Sequence, residues 1–203
     1  MRNRLWRLPA AAGALALALV GVTAGNSFAG STAAAPRSAA PAPADAAAVQ
    51  ADGFTGRLTV PPELVPPAGN RLDSVFKAAG VQNYGCTAGA WTLLEPAATL
   101  TGITLNPIRR DTAIHFRGPS WQSITDGSLV EGMSPKGVPS DTPNSIQQLL
   151  ITAKLSRGAG TFGGVTFIQR LATVGGVAPA GTCNAEQTQA VRYTAVYRFF
   201  KAG

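Results

Sequence analysis

Between Val191 and Phe199 the chain places Val191, Tyr193, Ala195, Tyr197 and Phe199 on one parity and Arg192, Thr194 and Arg198 on the other. That is the two-residue period of a strand with one buried face; a helix would scatter the same apolar residues around its circumference. The pattern recurs. Leu149, Ile151, Ala153 and Leu155 alternate with Gln148, Thr152 and Lys154, interrupted only by Leu150. Val165–Val174 is rich in β-branched residues and bounded by glycine pairs, a further strand signal. Val81–Cys86 and Trp91–Leu94 are shorter candidates on either side of Ala88-Gly89. Leu72–Ala79 is ambiguous, because Leu72, Val75, Phe76 and Ala79 also fit a short helix. Strand runs punctuated by glycine and proline predict an all-β, single-domain antiparallel sandwich or barrel.

Composition divides the chain into three parts. Residues 1–29 read as a signal peptide: Arg2, Arg4 and Arg7 precede an apolar run, Ala10–Val22, and Ser27-Phe28-Ala29 offers small residues for cleavage,. The apolar run is shorter than the ~20 residues of a membrane span. Residues 30–52 are dominated by alanine and proline, with Val49 the only large apolar residue. They predict a disordered linker. Residues 53–203 turn to Val, Ile, Leu, Phe, Tyr and Thr, and about 150 residues is the size of one domain.

The chain carries 17 Lys+Arg against 10 Asp+Glu; without the three arginines of the signal, 14 basic residues remain and the net charge is +4. These are scattered apart from Arg109-Arg110, which excludes the basic stripe that nucleic acid requires. Cys86 and Cys183 are the only cysteines. Export to an oxidising space predicts a disulfide between them. The expected product is secreted, monomeric and free of the membrane once the signal is removed.

His115 is the only histidine and opens the densest polar and aromatic cluster, His115 to Ser128. Ile114 and Phe116 are expected to face the core together, leaving His115 on the opposite face with Ala113 and Arg117. Asp126-Gly127 is a favoured two-residue hairpin turn; pairing outward from it sets Thr125 opposite Ser128 and Trp121 opposite Gly132, whose bare backbone the indole would cover. This turn already accounts for Asp126. His115, Asp126 and Ser128 therefore make a weak catalytic set, and no nucleophile elbow accompanies them. Gly158, Gly160 and Gly163 match G-x-G-x-x-G, but a β-type run follows where a dinucleotide site needs a helix. Their expected role is a loop between two strands. Isolated carboxylates and a single histidine give no metal-ligand cluster, and no cofactor is expected.

Several phrases, taken in order, resemble one family: Gly80-Val-Gln-Asn-Tyr-Gly-Cys86, His115-Phe-Arg-Gly-Pro-Ser-Trp121, Asp126-Gly-Ser-Leu-Val130, Ile168-Gln-Arg-Leu-Ala-Thr-Val-Gly-Gly176 and Tyr193-Thr-Ala-Val-Tyr197. They are similar to DUF3455, a family of small secreted proteins from bacteria and filamentous fungi, over most of Leu58–Phe200. Asn83 and Gln147-Gln148 depart from its pattern. The resemblance implies a signal peptide and one β-rich domain, and transfers no catalytic residue.

A partly exposed tryptophan among hydrogen-bonding side chains suits a sugar or a small apolar ligand. The leading expectation is a non-enzymatic extracellular binding module for cell-wall polysaccharide or a small molecule, with Gln82, Tyr84, His115, Trp121 and Arg170 as candidate ligand residues. The alternatives are a secreted hydrolase-type enzyme using His115 as its base, and a structural or surface-interaction protein without a small-molecule site.

Overall fold

The computed structural model describes residues 43–203; the expected signal peptide, residues 1–29, and the first part of the expected linker lie outside them. Eight strands follow in chain order: β1 (Asn70–Thr87), β2 (Ala90–Leu105), β3 (Ile108–Phe116), β4 (Ser120–Ser123), β5 (Leu129–Val138), β6 (Gln148–Arg157), β7 (Val165–Gly175) and β8 (Thr188–Ala202). Each pairs antiparallel with the next and β8 returns to β1, so the sheet closes into an up-and-down barrel. The choice between sandwich and barrel follows from the long strands. β1 is 18 residues and pairs with β2 and β8 along nearly all of its length, leaving no break at which the sheet divides into two layers. Closure gives every strand a partner on both sides over part of its length,.

The ambiguous Leu72–Ala79 lies within β1. Its apolar residues mimic a helix because both faces of the strand are covered. Phe76 and Ala78 point into the barrel core, whereas Leu72 and Val75 pack outward beneath a helix, α1 (Pro43–Thr55). That helix begins inside the segment expected to be a disordered linker, which is corrected over residues 43–52. Alanine is the strongest helix former, and the segment gains tertiary support: Ala47, Ala51 and Phe54 pack on Val75, Leu105 and Val196 of the barrel's outer wall. Farther along, the Leu64 carbonyl accepts a 2.6 Å hydrogen bond from Gln169 Nε2 of β7.

Inside, one end of the barrel is plugged. Phe162, in the loop between β6 and β7, is fully buried with its ring centroid 4.6 Å from Phe199 and 5.7 Å from Phe76. The G-x-G-x-x-G glycines thus form a strand-to-strand loop, as their β-type sequel predicts. Asp126 latches this loop. It accepts hydrogen bonds from Thr161 N (2.8 Å) and Thr161 Oγ1 (3.1 Å), and from Ser128 N (2.9 Å) and Ser128 Oγ (2.5 Å). Burial would raise the Asp126 carboxyl, but these bonds prevail and hold it down at about 2. Gly160, at φ +134, lies so close to the Asp126 carboxylate that a Cβ would collide with it. Phe162→Ala empties the plug without touching the latch. It is expected to lower stability by about 3–4 kcal/mol in denaturant titration, the cost of deleting a well-packed core ring.

The latch also changes the hairpin. Trp121 pairs with Val130 and Gln122 with Leu129, a shift of two residues from the expected register. Gly127 N donates to Ser123 O at 3.0 Å, so the turn is wider than two residues. A tight Asp-Gly turn satisfies only its own backbone; here the Asp126 carboxylate is engaged by a different loop. Trp121 nonetheless covers Gly132 diagonally, where an added Cβ would stand 3.3 Å from the indole.

At the opposite end, Cys86 of β1 forms the expected disulfide with Cys183 in the β7–β8 loop, with Cα atoms 5.7 Å apart. Among the described residues, no helix is long and apolar enough to cross a membrane.

Candidate functional site

Toward the disulfide end the lumen is not filled by side chains. A cavity of about 400 Å³ opens there, and every strand contributes to its wall: Gln82, Pro96, His115, Trp121, Met133, Ile151, Arg170 and Tyr197 come from β1 through β8 in turn. Ligand sites for small molecules span roughly 300–1,000 Å³, and eight-stranded barrels are of the width that can hold one such ligand.

His115 faces this lumen, the reverse of the face expected for it. Ala113 and His115 point inward and are buried, while Ile114 is 37% exposed on the outer wall. Alternation defines a strand's period but not its phase, and β3 carries apolar residues on both parities. The inward set also includes Asp111, whose carboxylate accepts 3.0 Å bonds from Ser123 Oγ; the polar parity is therefore the interior one. His115 is in register with Trp121 of β4, and neighbours in register project to the same side. Their rings stack at 4.3 Å with 3° between planes, and Tyr197 meets both edge-on at 5.4 and 5.5 Å.

The imidazole is neutral. Its burial drives the pKa down to about 3, aided by the positive charge of Arg170 and opposed by a hydrogen bond to Ser120. That bond joins Nδ1 to the Ser120 carbonyl at 2.8 Å. A carbonyl only accepts, so Nδ1 carries the hydrogen and Nε2 is left as an acceptor.

Gln82, His115 and Trp121 form the deep floor, at 2%, 3% and 0% exposure. Leu93, Leu94 and Met133 stand at the mouth, about half exposed. Gln82 Oε1 and Trp121 Nε1 are themselves buried out of the accessible space, without a hydrogen-bond partner among the described residues. On the wall, Arg170 donates from Nε and Nη2 to the Gln147 carbonyl at 3.1 and 3.0 Å. The ion pairs among the described residues include none with Arg170; the pair at the cavity rim joins Arg117 to Glu95 at 3.1 Å.

Four of the five candidate ligand residues thus meet around one cavity. Tyr84 does not: its hydroxyl donates to the Gly176 carbonyl at 2.7 Å and ties β1 to the start of the β7–β8 loop. Nor do Asp126 and Ser128 approach the site, since both belong to the latch at the plugged end, and the ring partners of His115 are Trp121 and Tyr197. Tyr197, Pro96, Ile151 and Met133 line the cavity without having been singled out. Tyr197 carried a legible signal, because its parity in Val191–Phe199 points inward; in a closed barrel, inward means toward the lumen. Among the described residues no three His, Cys, Asp or Glu side chains gather as metal ligands.

No curated protein and no solved structure matches the chain. One family model, described as a protein of unknown function (DUF3455), matches residues 67–201, from just before β1 to the penultimate residue of β8. Its match spans the whole barrel and most of the chain, and the barrel's family phrases fall on β1, β3–β4, β5, β7 and β8. The chain is a member of the DUF3455 family.

Proposed function

We propose that the protein is an extracellular, non-enzymatic binding protein that holds one small, largely apolar ligand in the open end of its barrel. The observation that carries this reading is the cavity itself: about 400 Å³, walled by Leu93, Leu94, Leu149 and Ile151 above a floor of Gln82, His115 and Trp121. A pocket of this size, apolar and confined to one end of the barrel, favours a compact molecule over an extended polysaccharide, which needs a long open groove. The hydrolase reading is weakened because a histidine held near 3 is a poor base at neutral pH. Two features support export: the basic and then apolar start of the chain,, and a disulfide of the kind that persists in oxidising compartments,.

The test uses N-phenyl-1-naphthylamine, a neutral dye that fluoresces in apolar sites. Saturable 1:1 enhancement is expected, together with its loss in Met133→Trp, which fills the mouth at a half-exposed position. No enhancement, or retention of the protein on insoluble cell-wall polysaccharide with the cavity unoccupied by dye, would overturn the reading.

A further inference from the structure

We infer that the ligand is a monoanionic carboxylic acid with an apolar body, its carboxylate seated on the Arg170 guanidinium. This rests on the cavity being a ligand site and adds the charge and class of what it takes.

The charged side chains lining the cavity are Glu95, Arg117 and Arg170. Glu95 and Arg117 neutralise each other at the rim. Arg170 has no carboxylate partner among the described residues. Its protein contacts go to neutral groups: Nε and Nη2 donate to the Gln147 carbonyl, and the guanidinium also hydrogen-bonds the Tyr197 side chain. The groups that feel its charge include Tyr84, His115, Tyr193 and Tyr197. All four are neutral at pH 7, since burial raises the phenols and lowers the imidazole. The cavity therefore carries one uncompensated positive charge within apolar walls.

A guanidinium in such surroundings is matched by an anion that brings its own hydrogen-bond acceptors. Charge balance selects among anions. One guanidinium neutralises one negative charge, and a phosphate dianion would leave a surplus charge against Leu149 and Ile151 at a high desolvation cost. A carboxylate brings acceptors for the Arg170 guanidinium. Its hydrocarbon body then lies toward Leu93, Leu94 and Met133 at the mouth, where apolar contact contributes affinity in proportion to buried area.

Two acids and their uncharged counterparts decide the matter: benzoate with benzyl alcohol, and octanoate with 1-octanol, each measured by displacement of the bound dye at pH 7. At least one acid is expected to bind about tenfold or more tightly than its alcohol, the scale of a charge-assisted hydrogen bond. In Arg170→Gln that acid-to-alcohol preference falls to about one, and in Arg170→Lys, which keeps the charge but not the fork, part of it remains. Far-UV circular dichroism and thermal melting establish that the variants are folded. Acids binding no better than alcohols, or an undiminished preference in Arg170→Gln, overturns this inference and leaves the apolar cavity standing. Absence of dye binding instead overturns the cavity reading itself.

Discussion

Replacing both Cys86 and Cys183 with serine is expected to lower stability by about 4–5 kcal/mol, because the bridge closes a loop whose ends are 97 residues apart,. In the chain-entropy account the effect resides in the unfolded state, where the link removes conformations that the free chain would otherwise explore. For a domain of this size the thermal midpoint falls by roughly 10–15 °C. The native barrel persists below that temperature, since its ladders join every strand to two neighbours without the bridge. The local consequence falls on the β7–β8 loop, whose other ties to the open end include Cys183 N donating to the Gly89 carbonyl, Cys86 N donating to the Gln187 carbonyl, and Tyr84 holding Gly176. Differential scanning calorimetry of the oxidised protein and the double variant measures the effect. A midpoint change below a few degrees would mean that the reduced chain is restrained by other means.

Acidification is expected to produce a loss of similar size, and to trace it to one residue. The His115 pKa is about 3 in the folded protein against 6.5 for an unburied imidazole. As pH falls, the unfolded chain takes up a proton at this position before the folded one does. The contribution of neutral His115 is therefore fully present above pH 6.5 and declines below it, by about 1.4 kcal/mol per pH unit, until pH nears 3. His115→Asn keeps an amide donor for the Ser120 carbonyl and has nothing to titrate. Its baseline stability is lower, because the stack on Trp121 is lost, but that part of the slope disappears. Urea titrations of both proteins between pH 4 and 7 give the comparison. Equal slopes would show that His115 takes up its proton as readily folded as unfolded. Imidazole NMR shifts unchanged between pH 5 and 7 report the same neutrality directly.

Much of the barrel was legible because strands declare their period. Val191–Phe199, Leu149–Leu155 and Val165–Val174 all fall within strands, and the glycine loop between two of them behaves as its β-type sequel implied. Phase and partnership were not legible in the same way. In β3, Ile114 and Phe116 are the more apolar pair, yet the interior receives Asp111, Ala113 and His115, because a closed barrel offers its lumen hydrogen-bond partners such as Ser123 and Ser120. The turn at Asp126-Gly127 was correctly placed but misread in register, since its carboxylate binds a loop 35 residues away. For the same reason α1 was invisible: Ala47 and Ala51 gain value only once Val75 and Val196 are beside them.

The class of fold, the pairing of the two cysteines, the family, and a short set of residues that includes Gln82, His115, Trp121 and Arg170 are all readable along the chain. Each of these follows from local period, composition or motif, which a linear chain displays directly. That the sheet closes, that one end is plugged by Phe162 while the other keeps a cavity, and that His115 faces that cavity as a neutral ring emerges from the assembled barrel. Those properties depend on which distant strands become neighbours, and the environment that sets a side chain's direction, charge and partners exists only after they meet.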